Sequence, residues 1–419
     1  MNAQVPLPMS QRQDAQDSLA SLEGSYSGWL GGTGIGRYRS GTAGLDRLYD
    51  AEAPVEASAV IARTVRLTAV ALPVFLNSGL LNTSSFTTSY VPYLGTLPAN
   101  AAIAPAQQYS NGIGGELQLT TKDLGLAAGY TPYNFLVHNL TGRFHFSTLG
   151  NHLSLFATRD PVKDTQLSYS GLRDPGARSP GPIWGGVIAT TGGVRISLGS
   201  SRANFYLSGS GGELTGRHVL TNTMFQGNTG ATFRVGSWTG GSLTLGYTLA
   251  GMHYQHNEVG LSYGQGGYFS PGSYFLAAVP ITFSGHAGQN FHYAIAGGLG
   301  FQTFEQEQAP FYPLDPTLQS SFVPSNGIPC TAAQIPSYNC GQYPRQDTTL
   351  FNYAVTAQAA YRFADHWYGG GYLAANNTSN YDTVSAGFFF RFVFSPQHSA
   401  DGFPSGLFHL QGLRPLQIP

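Results

Sequence analysis

Apolar and polar residues alternate with a period of two along much of this 419-residue chain, the spacing of a strand with two unlike faces. From Ser242 to Tyr254, Leu243, Leu245, Tyr247 and Leu249 interleave with Ser242, Thr244, Gly246 and Thr248. Between Phe291 and Phe304, Phe291, Tyr293, Ile295, Leu299 and Phe301 share one side, with His292, Ala294, Ala296, Gly298, Gly300 and Gln302 opposite. Phe351, Tyr353, Val355, Tyr361 and Phe363 oppose Asn352, Thr356, Gln358 and Arg362. Phe388, Phe390, Phe392 and Phe394 oppose Thr383, Ser385, Gly387 and Arg391. A helix would scatter all four sets. The alternation predicts strands with one face toward lipid and the other toward water.

Counting such segments predicts sixteen strands if Trp184 to Leu198 is one long strand, as its even face (Trp184, Ile188, Val194, Ile196, Leu198) suggests, and seventeen if it breaks at Gly192-Gly193. The even count is preferred, because single-chain bacterial barrels normally have even strand numbers. It also puts the long connections on one side. Short turns then fall near Arg63, Asp123, Gly150, Ser201, Gly240, Ala287 and Asp365, and long connections start near Asn77, Arg159, Gly211, Asn257 and Gln306. A soluble sandwich or propeller would alternate too, but its strands are typically about five or six residues long, and many here reach ten or more.

Composition sharpens this reading. Only 10 % of the chain is charged, against roughly 25 % in soluble domains, and no apolar run reaches the roughly 20 residues of a membrane helix. A charge-poor chain of strands crosses a membrane only as a closed barrel, since closure alone pairs every backbone group in lipid. The expected fold is therefore an all-β transmembrane antiparallel barrel of about sixteen strands in a bacterial outer membrane. A net charge of −1 argues against a nucleic-acid partner. The expected organisation is an N-terminal periplasmic segment over residues 1–22, the barrel over residues 23–394, and a Pro-containing tail over residues 395–419 at the periplasmic mouth. No charged segment followed by an apolar one marks a secretory signal. The chain is accordingly expected to be a fragment, a mis-started reading frame or a mature form.

Several motifs suggest chemistry and have plainer explanations. Gly260-Leu261-Ser262-Tyr263-Gly264 matches a nucleophile pattern that requires a strand-to-helix elbow, and no helix is predicted after it. The Gly31 to Gly36 run lacks dinucleotide-binding spacing. His253, His256, Asn257 and Glu258 could be taken for a metal site, but one strand sends His253 and His256 to opposite faces, so hydrogen bonding at the loop mouth is the better reading. No metal, cofactor or catalytic residue is expected.

Two clusters carry denser polar and aromatic chemistry. The first contains Arg159, Asp160, Lys163, Asp164, Leu167-Ser168-Tyr169-Ser170-Gly171, Arg173 and Asp174, and enters a strand at Ile183-Trp184-Gly185-Gly186. The second contains His253, Tyr254, Asn257 and Tyr263-Gly264-Gln265-Gly266-Gly267-Tyr268-Phe269-Ser270-Pro271. Leu214-Thr215-Gly216-Arg217 and Asn222 lie between them. With Tyr38-Arg39-Ser40-Gly41, Gly44-Leu45, Phe311-Tyr312-Pro313 and Asp315-Pro316, these runs give a chain that resembles the C-terminal outer-membrane barrel of the cellulose synthase operon protein C family from about Gly24 to Phe394.

The resemblance implies an outer-membrane porin that exports a β-1,4-glucan and does no chemistry itself. Its implied partners are the cellulose chain, outer-membrane lipid and periplasmic components of the synthase complex. In that family a signal peptide and a long array of tetratricopeptide repeats precede the barrel. Residues 1–22 cannot hold one 34-residue repeat, so that scaffold is expected to be truncated away or encoded separately.

Loops bearing Arg159 to Asp174 and Tyr263 to Ser270 are expected to fold inward over the outer mouth and gate it, because a Gly-rich loop with several aromatics is poorly suited to solvent. Arg217, Asn222 and Trp184 join this candidate polymer-guiding set. The structural alternative is that the charged residues tie loops together while Tyr254, Tyr263 and Trp184 belong to the interfacial aromatic girdle. The rival functions are a general or sugar-uptake porin, needing only a constriction, and an outer-membrane acyl hydrolase, needing Ser, His and an acidic or amide partner facing lipid.

Cys330 and Cys340 lie in one Pro-, Ser- and Asn-rich stretch without zinc-site partners, so a disulfide closing an outer loop is preferred over free thiols. Thiol labelling of the intact, non-reduced protein should leave both unlabelled; two labelled cysteines would refute the bridge.

Overall fold

The computed structural model describes residues 27–62, 64–82, 94–96, 106–148, 152–176, 181–200, 202–320, 341–379 and 381–395. Sixteen strands form one closed antiparallel barrel. They are β1 (Trp29–Arg39), β2 (Leu48–Glu52 and Val55–Ala62), β3 (Val65–Leu81), β4 (Ala106–Thr120), β5 (Leu124–Tyr130), β6 (Leu140–Thr148), β7 (Leu153–Pro161) and β8 (Ile183–Gly199). The second half comprises β9 (Ala203–Arg217), β10 (Asn222–Trp238), β11 (Gly241–Tyr254), β12 (Ser273–Ala287), β13 (Phe291–Gln306), β14 (Gln346–Ala364), β15 (Trp367–Ser379) and β16 (Tyr381–Val393). Each strand pairs with the next, and β16 returns to β1 in unbroken register from Trp29↔Val393 to Arg39↔Thr383. Pro54 interrupts β2, where it has no amide to give the ladder, yet register with β1 and β3 continues on both sides of it.

The parity read from the sequence sorts the two faces. On β16, Phe388 and Phe390 are 59 % and 53 % exposed, whereas Phe389 between them is 4 % exposed. Phe275, Val279 and Ile281 on β12, Ile295, Leu299 and Phe301 on β13, and Phe351 and Val355 on β14 continue the exposed apolar belt. Inward positions carry Arg37, Asp50, Glu52, Glu56, Glu116, Arg143, Asp160 and Arg391 on β1 to β7 and β16. Across β11 to β15 they carry the uncharged row Thr244, Thr282, Ala296, Thr356 and Ala374.

The seven short links between strands fall where the strand pattern put them, after Ala62, Thr120, Thr148, Gly199, Trp238, Ala287 and Ala364. Trp184 to Leu198 is a single strand, with Gly192 and Gly193 paired on both sides. One expectation fails. Gly211 starts no long connection, because β9 runs on to Arg217 and the link to β10 is only 218–221. The glycines there serve close packing. A Cβ on Gly211 would stand 2.7 Å from the Phe225 ring, and one on Gly212 would stand 2.0 Å from the Thr190 carbonyl. The tight link is made by His218, the one non-glycine residue at positive φ among the described residues. Residues 1–22, the tail after Ser395, and Cys330 and Cys340 lie outside the described residues.

A charge at an outward mid-membrane position of such a barrel costs about 2–4 kcal/mol, and inward changes cost far less. Phe390→Arg should therefore impair assembly, read as loss of heat-shifted gel mobility, while Ser385→Arg assembles. Equal damage from both would refute the assigned faces.

Candidate functional site

The connection from β7 to β8, residues 162–182, does not stay near the strands that carry it. Its Lys163 ammonium pairs with Glu52 on β2, and the Lys163 carbonyl accepts a hydrogen bond from Arg37 on β1 at 2.9 Å. Arg37 also binds Asp50 at 2.8 Å. A short helix, α1 (Gln166–Ser170), follows. Thr165 caps it, its hydroxyl accepting from the Ser168 amide while the Ser168 hydroxyl accepts from the Thr165 amide. All five α1 side chains are buried. Gln166 accepts from the Ser78 hydroxyl of β3 at 3.0 Å. The Tyr169 ring sits with Leu48, Val74, Leu76 and Phe135, edge-on to Phe135 at 5.1 Å, and the Lys163 ammonium lies 4.9 Å from its centroid. In a ring of sixteen strands β1 to β3 stand well round from β7 and β8. The connection therefore crosses the bore and is fastened to the far wall.

A second connection, 255–272 between β11 and β12, meets it there. The Thr165 hydroxyl donates to the Gly267 carbonyl at 2.8 Å, and the Phe269 amide donates to Asp164 at 2.8 Å. Asn222 at the start of β10 braces this second connection. It accepts from the His256 amide at 2.9 Å, and donates to the His256 carbonyl at 2.8 Å and the Tyr268 hydroxyl at 3.0 Å. Asn257 donates to the Glu307 carbonyl, and Gln265 to the Pro310 carbonyl, joining the connection from β13 to β14. Asp174 accepts from the Thr96 amide and hydroxyl. Around Trp184, Leu45, Leu94, Leu167, Leu172, Val219, Leu261 and Tyr268 form one buried apolar cluster drawn from five connections.

Of the residues singled out in the sequence, Asp164, Tyr169, Asp174, Trp184, Asn222, Tyr254, Asn257, Tyr263, Tyr268 and Phe269 lie in this loop layer or against it. Trp184 is fully buried, 5.9 Å from the Tyr263 ring, where a register shift at Gly185 lets β8 turn inward. Tyr254 packs 6.2 Å from Tyr268, and Phe269 meets Phe304 edge-on at 5.1 Å. The others stand apart. Arg159 binds the Leu140 carbonyl and the Thr190 hydroxyl along the strands. Asp160 pairs with Arg143, which also holds Glu116. Arg173 is exposed and donates to the Gly181 carbonyl. Arg217 is exposed at the end of β9, and exposed His253 binds the Gly272 carbonyl. The Ser262 hydroxyl donates to the Phe311 carbonyl at 2.5 Å and lies 2.9 Å from the Tyr343 hydroxyl, which makes it a tie between loops.

Sequence reasoning passed over the anchor groups on the wall, Arg37, Asp50 and Glu52. A signal was available, since charges at inward parity are conspicuous in so charge-poor a chain. It also passed over Glu258 as a buried acid. That side chain is wholly buried, and burial pushes its carboxyl up to about 9.

An unbroken ladder wearing an apolar belt defines a transmembrane β-barrel of the bacterial outer membrane. The family profile described as the C-terminus of cellulose synthase operon protein C matches residues 46–395, and the chain belongs to that family. It is 30 % identical over 354 residues to cellulose synthase operon protein C of Komagataeibacter xylinus, covering 78 % of this chain and 26 % of that protein. To the protein of the same description from Pseudomonas fluorescens SBW25 it is 30 % identical over 366 residues, covering 85 % and 26 %. The chain thus spans about a quarter of the length of these curated relatives. Among solved structures, one described as a bacterial polysaccharide outer membrane secretin overlays with a TM-score of 0.49 at 10 % identity, over 88 % of this chain and 99 % of that one. Pseudomonas putida OprB gives 0.38 at 8 %, over 91 % and 97 %. Likenesses this distant carry no functional weight.

Hydrogen bonds to charged groups contribute about 1.5–3 kcal/mol each. Lys163→Met should therefore loosen α1, speeding exchange of the Ser168, Tyr169 and Gly171 amides roughly ten- to a hundredfold while β3 amides keep their protection. Unchanged exchange would show that the anchor holds nothing.

Proposed function

We propose that this barrel exports cellulose, a β-1,4-glucan, through its lumen, and that the loop layer at the outer end gates the passage. The observation that carries the reading is the connection 162–182, fastened across the bore to β1, β2 and β3 by Lys163, Gln166 and Tyr169. A segment so placed must move before a polymer can leave. The family to which the chain belongs supports the choice of cargo, as does the description of its relatives as cellulose synthase operon protein C.

The chemistry of the wall suits a neutral polymer. Several inward charges on β1 to β7 are engaged with one another or with the loop, as in Arg143 with Glu116 and Asp160, Arg37 with Asp50, and Glu52 with Lys163. On the facing wall, β11 to β15, the row Thr244, Thr282, Ala296, Thr356 and Ala374 offers hydroxyls and small side chains. A glucan needs just this, since its hydroxyls take uncharged partners and its C–H faces pack on apolar surface. Tyr254 and Tyr263, half-buried at the outer end, add aromatic surface with a polar tip. Periplasmic components of the synthase complex would deliver the chain at the opposite mouth.

Deleting Tyr263 to Ser270 should raise single-channel conductance and uptake of bulky antibiotics, and should reduce extracellular cellulose. Unchanged conductance with persisting export would place the gate elsewhere. Normal cellulose with impaired solute uptake after loss of the whole chain would favour an uptake porin.

A further inference from the structure

Glu258 is a hub of the connection 255–272. Its carbonyl accepts from the Gly267 and Tyr268 amides at 2.8 and 3.2 Å, and its amide donates to the Ser270 hydroxyl at 2.6 Å. Gly267 and the neighbouring Phe269 hold the crossing connection through Thr165 and Asp164. The carboxyl itself is wholly buried, and neither oxygen has a hydrogen-bond partner. Gly266 packs over it so closely that a Cβ there would stand 2.8 Å from Oε2. Burial outweighs the pull of the nearby Gly266 amide, which makes no well-formed hydrogen bond to either oxygen, and no charged side chain is among the groups that shift the carboxyl.

Tyr268 on the same connection feels the Glu258 charge together with those of Tyr254 at the end of β11 and Asp164 on the crossing connection, and His256 lies two residues before Glu258 on its own connection. A carboxylate in such a place is uncompensated, so the closed layer holds the neutral acid.

We propose that closing the loop layer takes up one proton at Glu258 and that opening, by admitting water to the carboxyl, releases it. The inference rests on the gating reading above and adds its control: proton availability sets how tightly the mouth is shut. The sign follows from the two states. Exposed, the carboxyl titrates near its ordinary 4.5, and buried it titrates at about 9. Between these limits the closed form binds a proton that the open form does not. The closed-to-open ratio therefore falls by up to about tenfold per pH unit as pH rises, and is flat outside the window.

The test is open probability in planar bilayers from pH 5.5 to 8.5 for the full chain, for Glu258→Gln, and for the variant lacking Tyr263 to Ser270, with assembly checked by heat-shifted mobility. The full chain should open increasingly toward high pH, and Glu258→Gln should stay closed and pH-flat. A flat full chain, or Glu258→Gln with the wild-type slope, would overturn the proposal. If the deletion conducts more than the full chain while Glu258→Gln keeps that slope, gating survives and the proton site falls. If the deletion conducts no more, the gating reading fails and this inference fails with it. Should Glu258→Gln not assemble, hydrogen exchange on the full chain decides. Protection of the Gly267 and Tyr268 amides, corrected for intrinsic rates, should rise toward acid, and protection independent of pH would overturn the proposal.

Discussion

A bilayer offers no hydrogen-bond partner to a strand's backbone, so the sheet must return on itself, and the pairing of β1 with β16 is the constraint on which everything else depends. Closure fixes parity. Once Trp29 faces Val393 and each later strand follows in register, every second side chain is committed to lipid and the rest to the bore. The apolar belt is then the consequence of one ladder, and so is the inward placement of Arg37, Asp50, Glu52, Arg143 and Asp160. A bore sixteen strands round is too wide for wall side chains to fill, and long outer connections supply the remaining mass.

What positions that mass is an imbalance on the wall. Asp50 and Glu52 point inward one pleat apart on β2, and Arg37 neutralises one of them. Without the loop the wall keeps an excess negative charge in a restricted space. Lys163 supplies the missing cation, and Arg37 reaches past Asp50 to the Lys163 carbonyl, so the four charges and one backbone group form a single connected set. Buried charges are weak sources of stability but strong sources of specificity. Here they select where the crossing connection lands, while the apolar contacts of Tyr169 and the cap on α1 set its shape. The other connections then assemble on it through Thr165, Asp164 and Asn222.

The barrel was legible because a period of two survives in almost every strand, and because Phe388 to Phe394 cannot be read any other way. Glycine was the main source of error. Gly211 read as the start of a long connection, yet it lies with Gly212 within β9, where Phe225 and the Thr190 backbone approach closely. Trp184 read as part of an outward face. The register shift beside it, with Gly185 and Gly186 at positive φ, turns the ring into the apolar cluster, and such a shift leaves only two glycines as its trace. The loop residues were legible as a set but not as an arrangement. Arg159 and Asp174 stand in the same run, and nothing local says that one lies along the strands while the other is tied to Thr96. Contacts between Lys163 and Glu52, more than a hundred residues apart, arise only from closure of the ring.

If the crossing connection closes the bore, it must leave the wall of β1 to β3 when polymer passes, and tethering it there is the decisive experiment. In a chain with Cys330 and Cys340 replaced by Ser, Ser78→Cys and Gln166→Cys can be joined by a short, cleavable bis-maleimide linker, and extracellular cellulose followed before and after cleavage. Tethered barrels should assemble normally but stop releasing cellulose, with polymer held in the periplasm until the linker is cut. Release at the untethered rate with the linker intact would contradict closure of the bore by this connection.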